Sequence, residues 1–356
     1  MAYLQIPKIA IKGISAGVPL RTIDNLNCSI KLSEDYDNEA FVNQTGVRNR
    51  RIDELTTSDL CFKAAEKLIE DLQWDKSEIN ALVFVSQYFD FVAPATACIM
   101  QFKLGLPKEC MAFDIELGCS GWIYGMSVIS SLMKGGTIKK ALLMSGDGRT
   151  NFEGAEDVIG GLIGYAGTVT ALEYTEEANS LYFDLGSDGS GYNAIMVKEG
   201  GARFPANRHS LDLSYVNGKP SCGLLSRMNG MDVFSFGIST APKSIKRLMK
   251  ELGKEVTDAD YLVLHQANKQ MNDIIVKKLK FDPERVPESL SMFGNTSSAS
   301  IPLTIVTRLR EQLSKGKHSL LCCGFGIGLS WGTLYCDVEN LVIPDLVEVK
   351  SNETML

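Results

Sequence analysis

Phe113-Asp-Ile-Glu-Leu-Gly-Cys-Ser-Gly-Trp122 joins two different side-chain periodicities at a single cysteine. Apolar and acidic residues alternate from Phe113 to Leu117, the period-two pattern of a short strand. Gly118 breaks the run, and Trp122 to Met133 is a long apolar segment of helical character. Cys119 therefore sits at a strand-to-helix turn, beside the first backbone N–H groups of a buried helix. The helix dipole favours a thiolate there and predicts a lowered thiol pKa. A cysteine taken alone is more often a small buried core residue, so its chemistry depends on what the rest of the chain supplies.

The same strand–turn–helix rhythm extends outward on both sides. Towards the N-terminus, Ile9 to Ile14 reads as a strand closed by Gly17-Val-Pro19, residues 22–40 as a polar segment with a short helix, and Gln44 to Arg51 as a basic turn. Apolar or alanine positions at 60, 61, 64, 65, 68, 69 and 72 make Ser58–Leu72 an amphipathic helix, capped by Thr57 or Ser58. Ala81–Val85 is a buried strand, Pro94–Leu104 a helix, and Lys140–Ser145 and Val169–Tyr174 are strands. A second pass begins near residue 232, with a helix over Ala241–Leu252, a strand over Tyr261–Leu264 and a helix over Met271–Leu279. A turn at Ser291–Thr296 follows, then a helix over Ile301–Leu313, a strand from Leu320 into a glycine loop ending at Gly328, and a last strand over Trp331–Asp337.

The two passes superimpose. Leu72 to Leu82 and Leu252 to Leu262 are both steps of 10 residues, and Cys119 to Gly146 is 27 residues against 29 from Asn295 to Gly324. In each half a turn-to-helix step begins with a special residue, Cys119 or Asn295. Repeated βα units of matched spacing predict an α/β fold of two similar layered halves, with equivalent positions facing each other. Residues 1–175 form the N-terminal half and 176–345 the C-terminal half, with 346–356 a polar tail. The cluster Asp184–Gly191 fits neither repeat and reads as a loop; it lacks the spaced acidic ligands and closing Glu of a calcium loop.

Composition narrows the function. A net charge of −7 argues against general nucleic-acid binding. No apolar run reaches the length of a membrane span, and the N-terminal residues lack a secretory pattern. Nine scattered cysteines without a C-x-x-C pair point to neither a zinc site nor a disulfide framework and fit a reducing cytoplasm.

Three segments carry the chemistry: Gly118-Cys119-Ser120-Gly121, His265-Gln-Ala-Asn268 at a strand end, and Gly294-Asn295-Thr-Ser-Ser-Ala-Ser300 at a helix start. Alone, His265 would more often be structural and Asn295 a helix N-cap. His209, in a polar loop, and His318, before a strand, receive no role. Together with Gly324-Phe-Gly-Ile-Gly328, Thr45-Gly-Val-Arg-Asn-Arg-Arg51, Pro94-Ala-Thr-Ala-Cys98 and Met228-Asn-Gly-Met-Asp-Val-Phe234, the three segments resemble the thiolase superfamily, and within it the β-ketoacyl-acyl carrier protein synthase III group. The resemblance spans residues 3–340. It implies two pseudo-symmetric βαβαβαββ halves in an αβαβα layered arrangement, a Cys119–His265–Asn295 triad, and a homodimer.

By the same resemblance, Cys119 holds an acyl group taken from a small acyl thioester, and a malonyl thioester on an acyl carrier protein is decarboxylated and condensed with it. The backbone N–H groups of Cys119 and Ile327 form the oxyanion hole. Asn268 and Phe325 line the substrate site, and Lys246, Arg247, Lys250 and Lys269 are candidates to grip the acidic carrier. No metal or cofactor is implied beyond phosphopantetheine or coenzyme A thioesters as substrates. Two alternatives remain: transfer from Cys119 to an oxygen or nitrogen acceptor without decarboxylation, and a non-enzymatic scaffold. The resemblance is incomplete where a Trp and an Arg often hold the coenzyme A adenine, since Ala40 and Gln44 stand there. Ala93 replaces an aromatic residue, Gln270 a basic one, and Ile163–Thr168 an acyl-pocket turn. These departures point to a specialised enzyme.

Overall fold

A computed structural model describes residues 2–28, 37–148, 160–216 and 219–356; part of the 22–40 segment lies outside them. Two sheets carry the architecture. The six-stranded sheet runs Val347–Val349, Ile9–Pro19, Ala166–Tyr174, Lys140–Asp147, Ile79–Ser86 and Met111–Glu116. The five-stranded sheet runs Ala2–Ile6, Leu181–Ser187, Ser330–Glu339, Lys317–Gly326 and Tyr261–Leu264. The order Ile79, Lys140, Ala166, Ile9 in one sheet is matched by Tyr261, Lys317, Ser330, Leu181 in the other, so the repeat read from spacing is a structural repeat. Met111–Glu116 has a short helix, Leu290–Phe293, at the matching place in the second half.

Five layers follow from which faces are apolar. In Ile79–Ser86, Ala81, Val83 and Val85 join the cluster between the sheets, whereas Leu82 and Phe84 join the cluster under the outer helices. Both faces are covered, which is why that run is continuously apolar. The middle layer is the pair of helices Gly121–Met133 and Ser300–Arg308, packed between the sheets through Trp122, Met126, Ile129, Leu303 and Ile305. Thr57–Leu72 and Thr96–Lys103 cover the first sheet; Gly230–Glu251 and Lys269–Leu279 cover the second.

Several expectations are corrected. The first strand does not close at Gly17-Val-Pro19 but runs to Pro19, because a side chain at Gly17 would meet the Leu60 carbonyl oxygen at 2.4 Å; the glycine serves helix–sheet approach rather than a turn. Thr56, not Thr57 or Ser58, caps the following helix, in a reciprocal box with Asp59. The helix read over Ala241–Leu252 is the end of a 22-residue helix that begins at Gly230 and continues through Pro242. The helix read over Ile301–Leu313 breaks at Leu309. The Asp184–Gly191 cluster is not all loop: Asp184 is a buried strand residue. The polar tail is also part of the fold. Val347–Val349 adds a parallel strand to Ile9–Pro19, and the Met355 N–H donates to Asp59 Oδ1 at 2.6 Å. The strand Ala2–Ile6 crosses the other way, into the second sheet. Among the described residues no helix is long and apolar enough to cross a membrane.

Candidate active site

The strand Met111–Glu116 delivers the chain to the cysteine. Asp114 ties it to the outer layer by accepting from the Thr96 and Ala97 N–H groups, both at 2.7 Å. The Gly121 N–H closes the turn on the Gly118 carbonyl at 2.6 Å. Trp122 Nε1 then anchors the new helix by donating to Thr170 Oγ1 at 2.9 Å, which fixes the direction of its first turn. The second half supplies the opposite wall. A side chain at Gly326 would lie 2.6 Å from Cys119 Sγ, and one at Gly324 2.8 Å from the Cys119 carbonyl oxygen, so only glycine lets this strand touch the cysteine. Ser120 and Ser330 hydroxyls meet at 2.7 Å and join the two edges.

The thiol pKa is not lowered as the helix start predicts. Burial pushes it up, and the Asp147 carboxylate adds to the rise; hydrogen bonds from the Ile327 N–H and the Ser297 hydroxyl oppose both. Loss of water outweighs the dipole here because the strand that carries Gly324 and Gly326 packs directly against the cysteine.

His265 ends the strand Tyr261–Leu264, its N–H donating to the Cys323 carbonyl at 2.8 Å. It is 1% exposed, and its ring stands edge-on to Phe325 at 5.7 Å and 88°. Nδ1 lies 2.7 Å from Ser300 Oγ. Burial brings the imidazole pKa down to about 4, against a weaker opposing hydrogen bond to the Ser297 backbone. The ring is therefore neutral at pH 7, with Nδ1 against the Ser300 hydroxyl. Asn295 is held from both sides: its N–H donates to the Leu162 carbonyl at 2.8 Å, and its carbonyl accepts from the Gly164 N–H at 3.1 Å. Its side-chain Oδ1 accepts from the Ser297 N–H at 2.9 Å, which leaves the amide NH2 as the group free to donate.

Cys119, His265, Asn295, Ser297, Phe325 and Ile327 all line one cavity of about 520 Å³. It opens past Leu162, Met228, Gly230 and Asn268 into an outer vestibule of about 800 Å³, which shares those four residues. Asn268 lines both spaces and caps the helix Lys269–Leu279, its side chain accepting from the Met271 N–H at 2.8 Å. Among the described residues no group of three or more His, Cys, Asp or Glu side chains is placed to hold a metal ion.

The expected carrier-gripping cations are less uniform. Arg247 also serves the fold: its guanidinium is paired with Asp184, which is 1% exposed and also accepts from the Ser244 hydroxyl. Lys246 donates to the Lys278 carbonyl, and Lys269 is paired with Asp273 at 2.7 Å; Lys250 is exposed. His209 pairs with Asp212 on the surface, and His318 meets the Lys315 carbonyl, both remote from the cavity. Sequence reasoning missed Ser297 and Ser300, although both lie in the segment that carries Asn295. Serines near a helix start read as caps, and nothing local says that one faces a sulfur and the other an imidazole.

Residues 113–189 match the 3-oxoacyl-[acyl-carrier-protein] synthase III family, and residues 249–338 match the C-terminal domain of the same family. The β-ketoacyl-[acyl-carrier-protein] synthase III of Clostridioides difficile is 30% identical over 328 residues, covering 91% of this chain and 97% of the relative. That of Chlamydia caviae is 31% identical over 345 residues, covering 94% and 98%. The crystal structure of a 3-oxoacyl-(acyl-carrier protein) synthase from Burkholderia xenovorans superimposes with a TM-score of 0.88 at 34% identity, covering 98% of this chain and 99% of that one. With this likeness over the whole of a thiolase-like fold, the chain belongs to the β-ketoacyl-[acyl-carrier-protein] synthase III family and is a condensing enzyme of the acyltransferase class.

Proposed function

We propose that the enzyme condenses an acyl group held on Cys119 with a malonyl thioester delivered on the phosphopantetheine arm of an acyl carrier protein, with loss of CO2. The observation that carries this is the single cavity onto which Cys119, His265 and Asn295 converge, with the Ile327 N–H directed at the sulfur. In the first step the Cys119 sulfur attacks an acyl thioester; its proton leaves with the departing thiol. The Cys119 and Ile327 N–H groups hold the tetrahedral oxyanion. In the second step the malonyl carboxylate departs as CO2 and its electron pair becomes an enolate. His265 Nε2–H and the Asn295 amide donate to the thioester oxygen that gains charge. The enolate carbon attacks the acyl carbonyl, the C–S bond to Cys119 breaks, and the thiolate takes up a proton. A neutral imidazole suits this work, because no base is needed when decarboxylation itself exposes the carbanion.

Residues 1–175 then carry the nucleophile and 176–345 the donors. Ala40 and Gln44 cannot stack on adenine, which favours a carrier-bound arm over coenzyme A and a specialised lipid or secondary pathway over general priming. A homodimer is supported by the edge strand Met111–Glu116, which has no partner on one side among the described residues, and by exposed apolar side chains such as Phe91 and Val92. Nine free thiols fit a cytoplasmic enzyme.

The test mixes the protein with acyl- and malonyl-carrier thioesters and measures CO2 together with the intact mass. An acyl adduct on wild type that is absent from Cys119→Ala, with CO2 released on adding malonyl carrier, is expected. An adduct without CO2 points to simple acyl transfer, and an adduct that survives Cys119→Ala removes the nucleophile assignment.

A further inference from the structure

The vestibule outside the catalytic cavity has a charge that the reaction does not use. Among the described residues lining it, Arg227 is the only charged side chain; its neighbours include Gln44, Asn193, Asn229 and Gln270. Arg227 lies in the short strand Ser226–Met228, which pairs with Ile195–Val197. Ser226 lines only the inner cavity and Arg227 only the outer one, as side-chain alternation along a strand requires, and Met228 lies where the two meet. Its Nε is buried without a hydrogen-bond partner, and the guanidinium makes no ion pair among the described residues. A half-buried cation in that state is costly to hold empty-handed.

Nearby cations are otherwise occupied. Arg48 is paired with Asp24, Arg51 with Glu348, and Lys269 with Asp273, while Arg50 is turned onto Asn25 and the carbonyl groups of Gly160 and Ile163. Beside Arg227, the 22-residue helix Gly230–Glu251 begins in the same vestibule, and Gly230 and Met231 both line it. Their N–H groups have no partner within the helix, and an anion there gains from both the donors and the dipole. The one carboxylate in that first turn, Asp232, is held by the Asn229 side-chain amide at 2.7 Å.

We infer that Arg227 and the helix start at Gly230–Met231 bind the phosphate of the pantetheine arm whose thioester reaches Cys119. This rests on the function proposed above. A guanidinium presents paired donors to two phosphate oxygens, and the narrow passage by Leu162, Met228 and Asn268 suits the uncharged arm between phosphate and sulfur. The charge is supplied from the second half, while the uncharged Gln44 of the first half lines the same vestibule. A phosphate site without an adenine platform serves a carrier-bound arm.

Calorimetry with full-length protein compares free 4′-phosphopantetheine with pantetheine, which lacks the phosphate. Wild type is expected to bind the phosphorylated arm about 10- to 100-fold more tightly, the range of a charge-assisted pair. Arg227→Gln should abolish that ratio and leave pantetheine binding unchanged, while Arg227→Lys keeps part of it. An unchanged ratio, or an equal loss for both arms, overturns the inference, as does a Arg227→Gln defect confined to acyl-carrier that leaves 4′-phosphopantetheine binding intact, since the guanidinium would then be meeting a carrier carboxylate. A defect confined to acyl-coenzyme A overturns it too, because a nucleotide phosphate would be the ligand. Acylation of Cys119 by acyl-pantetheine, read by intact mass, tests the underlying function separately: it should be equal in wild type and Arg227→Gln, and its failure in wild type would sink the function while the binding ratio still decides the role of Arg227.

Discussion

The turns at Gly118–Gly121 and Gly294–Ser300 hold matching places in the two halves, each between a sheet and a central helix, yet the opposite half reaches a different group in each. The Asn295 turn is braced by the first half through its backbone and by its own segment through its side chain. Its backbone pairs with Leu162 and Gly164, and its side-chain oxygen is taken by Ser297 two residues on. The Cys119 turn depends on the other half, which brings Gly324 and Gly326 against it and directs the Ile327 N–H and Ser297 hydroxyl at its sulfur. Both turns therefore need the opposite half, which fixes the backbone of the donor turn and supplies the surroundings of the sulfur at the nucleophile turn. The duplicated scaffold sets the Asn295 side chain from within its own segment and the Cys119 sulfur from across the two halves.

The largest effect should come from breaking the donor turn. Asn295→Ala is expected to slow decarboxylative condensation about 100- to 1,000-fold, the usual loss for one preorganised oxyanion donor, while the acyl adduct on Cys119 still forms. Stopped-time mass spectra beside CO2 release check this; an equal fall in acylation would mean that the two turns are not separable. Away from the site, Arg247→Met leaves Asp184 buried with only the Ser244 hydroxyl, and should cost about 3 kcal/mol in urea unfolding. The Michaelis constant for carrier substrates should not change. A rise in that constant with normal stability would return Arg247 to a docking role.

His265 gives a pH test of the same half. Folded, it takes its proton near pH 4; unfolded, near 6.5. Between those values the unfolded chain holds more protons, so stability rises with pH. The contribution is complete above about pH 6.5 and lost as the pH falls towards 4, amounting to at most about 3 kcal/mol. Urea midpoints at pH 7 and pH 4.5 should differ more in wild type than in His265→Gln, and identical slopes would mean that the imidazole is hydrated. The smallest effect sharpens the comparison from the first half. Gly326→Ala places a methyl group against Cys119 Sγ and should destabilise by about 1–3 kcal/mol. It should also change the rate of Cys119 alkylation, while 4′-phosphopantetheine binding at the vestibule stays as in wild type.

Much of this was legible in the order of residues. Strand Tyr261–Leu264 was read to the residue because a short apolar run ended at polar His265-Gln266. The Cys119 and Asn295 turns were found because each interrupts an apolar run before a helix, and matched spacings exposed the repeat. The thiol pKa was misjudged, since a helix start is visible in sequence and enclosure by residues 324–328 is not. Arg247 looked like one member of a basic helix face because its partner, Asp184, lies 63 positions away in a segment that resembled a loop. The 346–356 segment looked like a tail because a three-residue parallel strand has too little periodicity to announce itself.

By itself the sequence determined the alternation of strands and helices, their duplication, and which reactive groups stand at which turns. These follow from side-chain periodicity and from where glycine and polar residues interrupt it, all within a few residues of one another. Tertiary structure alone decided the thiol's raised pKa, the neutral imidazole against Ser300, the pairing of Arg247 and the lack of an ion pair to Arg227 among the described residues. Each is a balance between desolvation and partners drawn from distant parts of the chain, and that balance exists only once packing has removed the water.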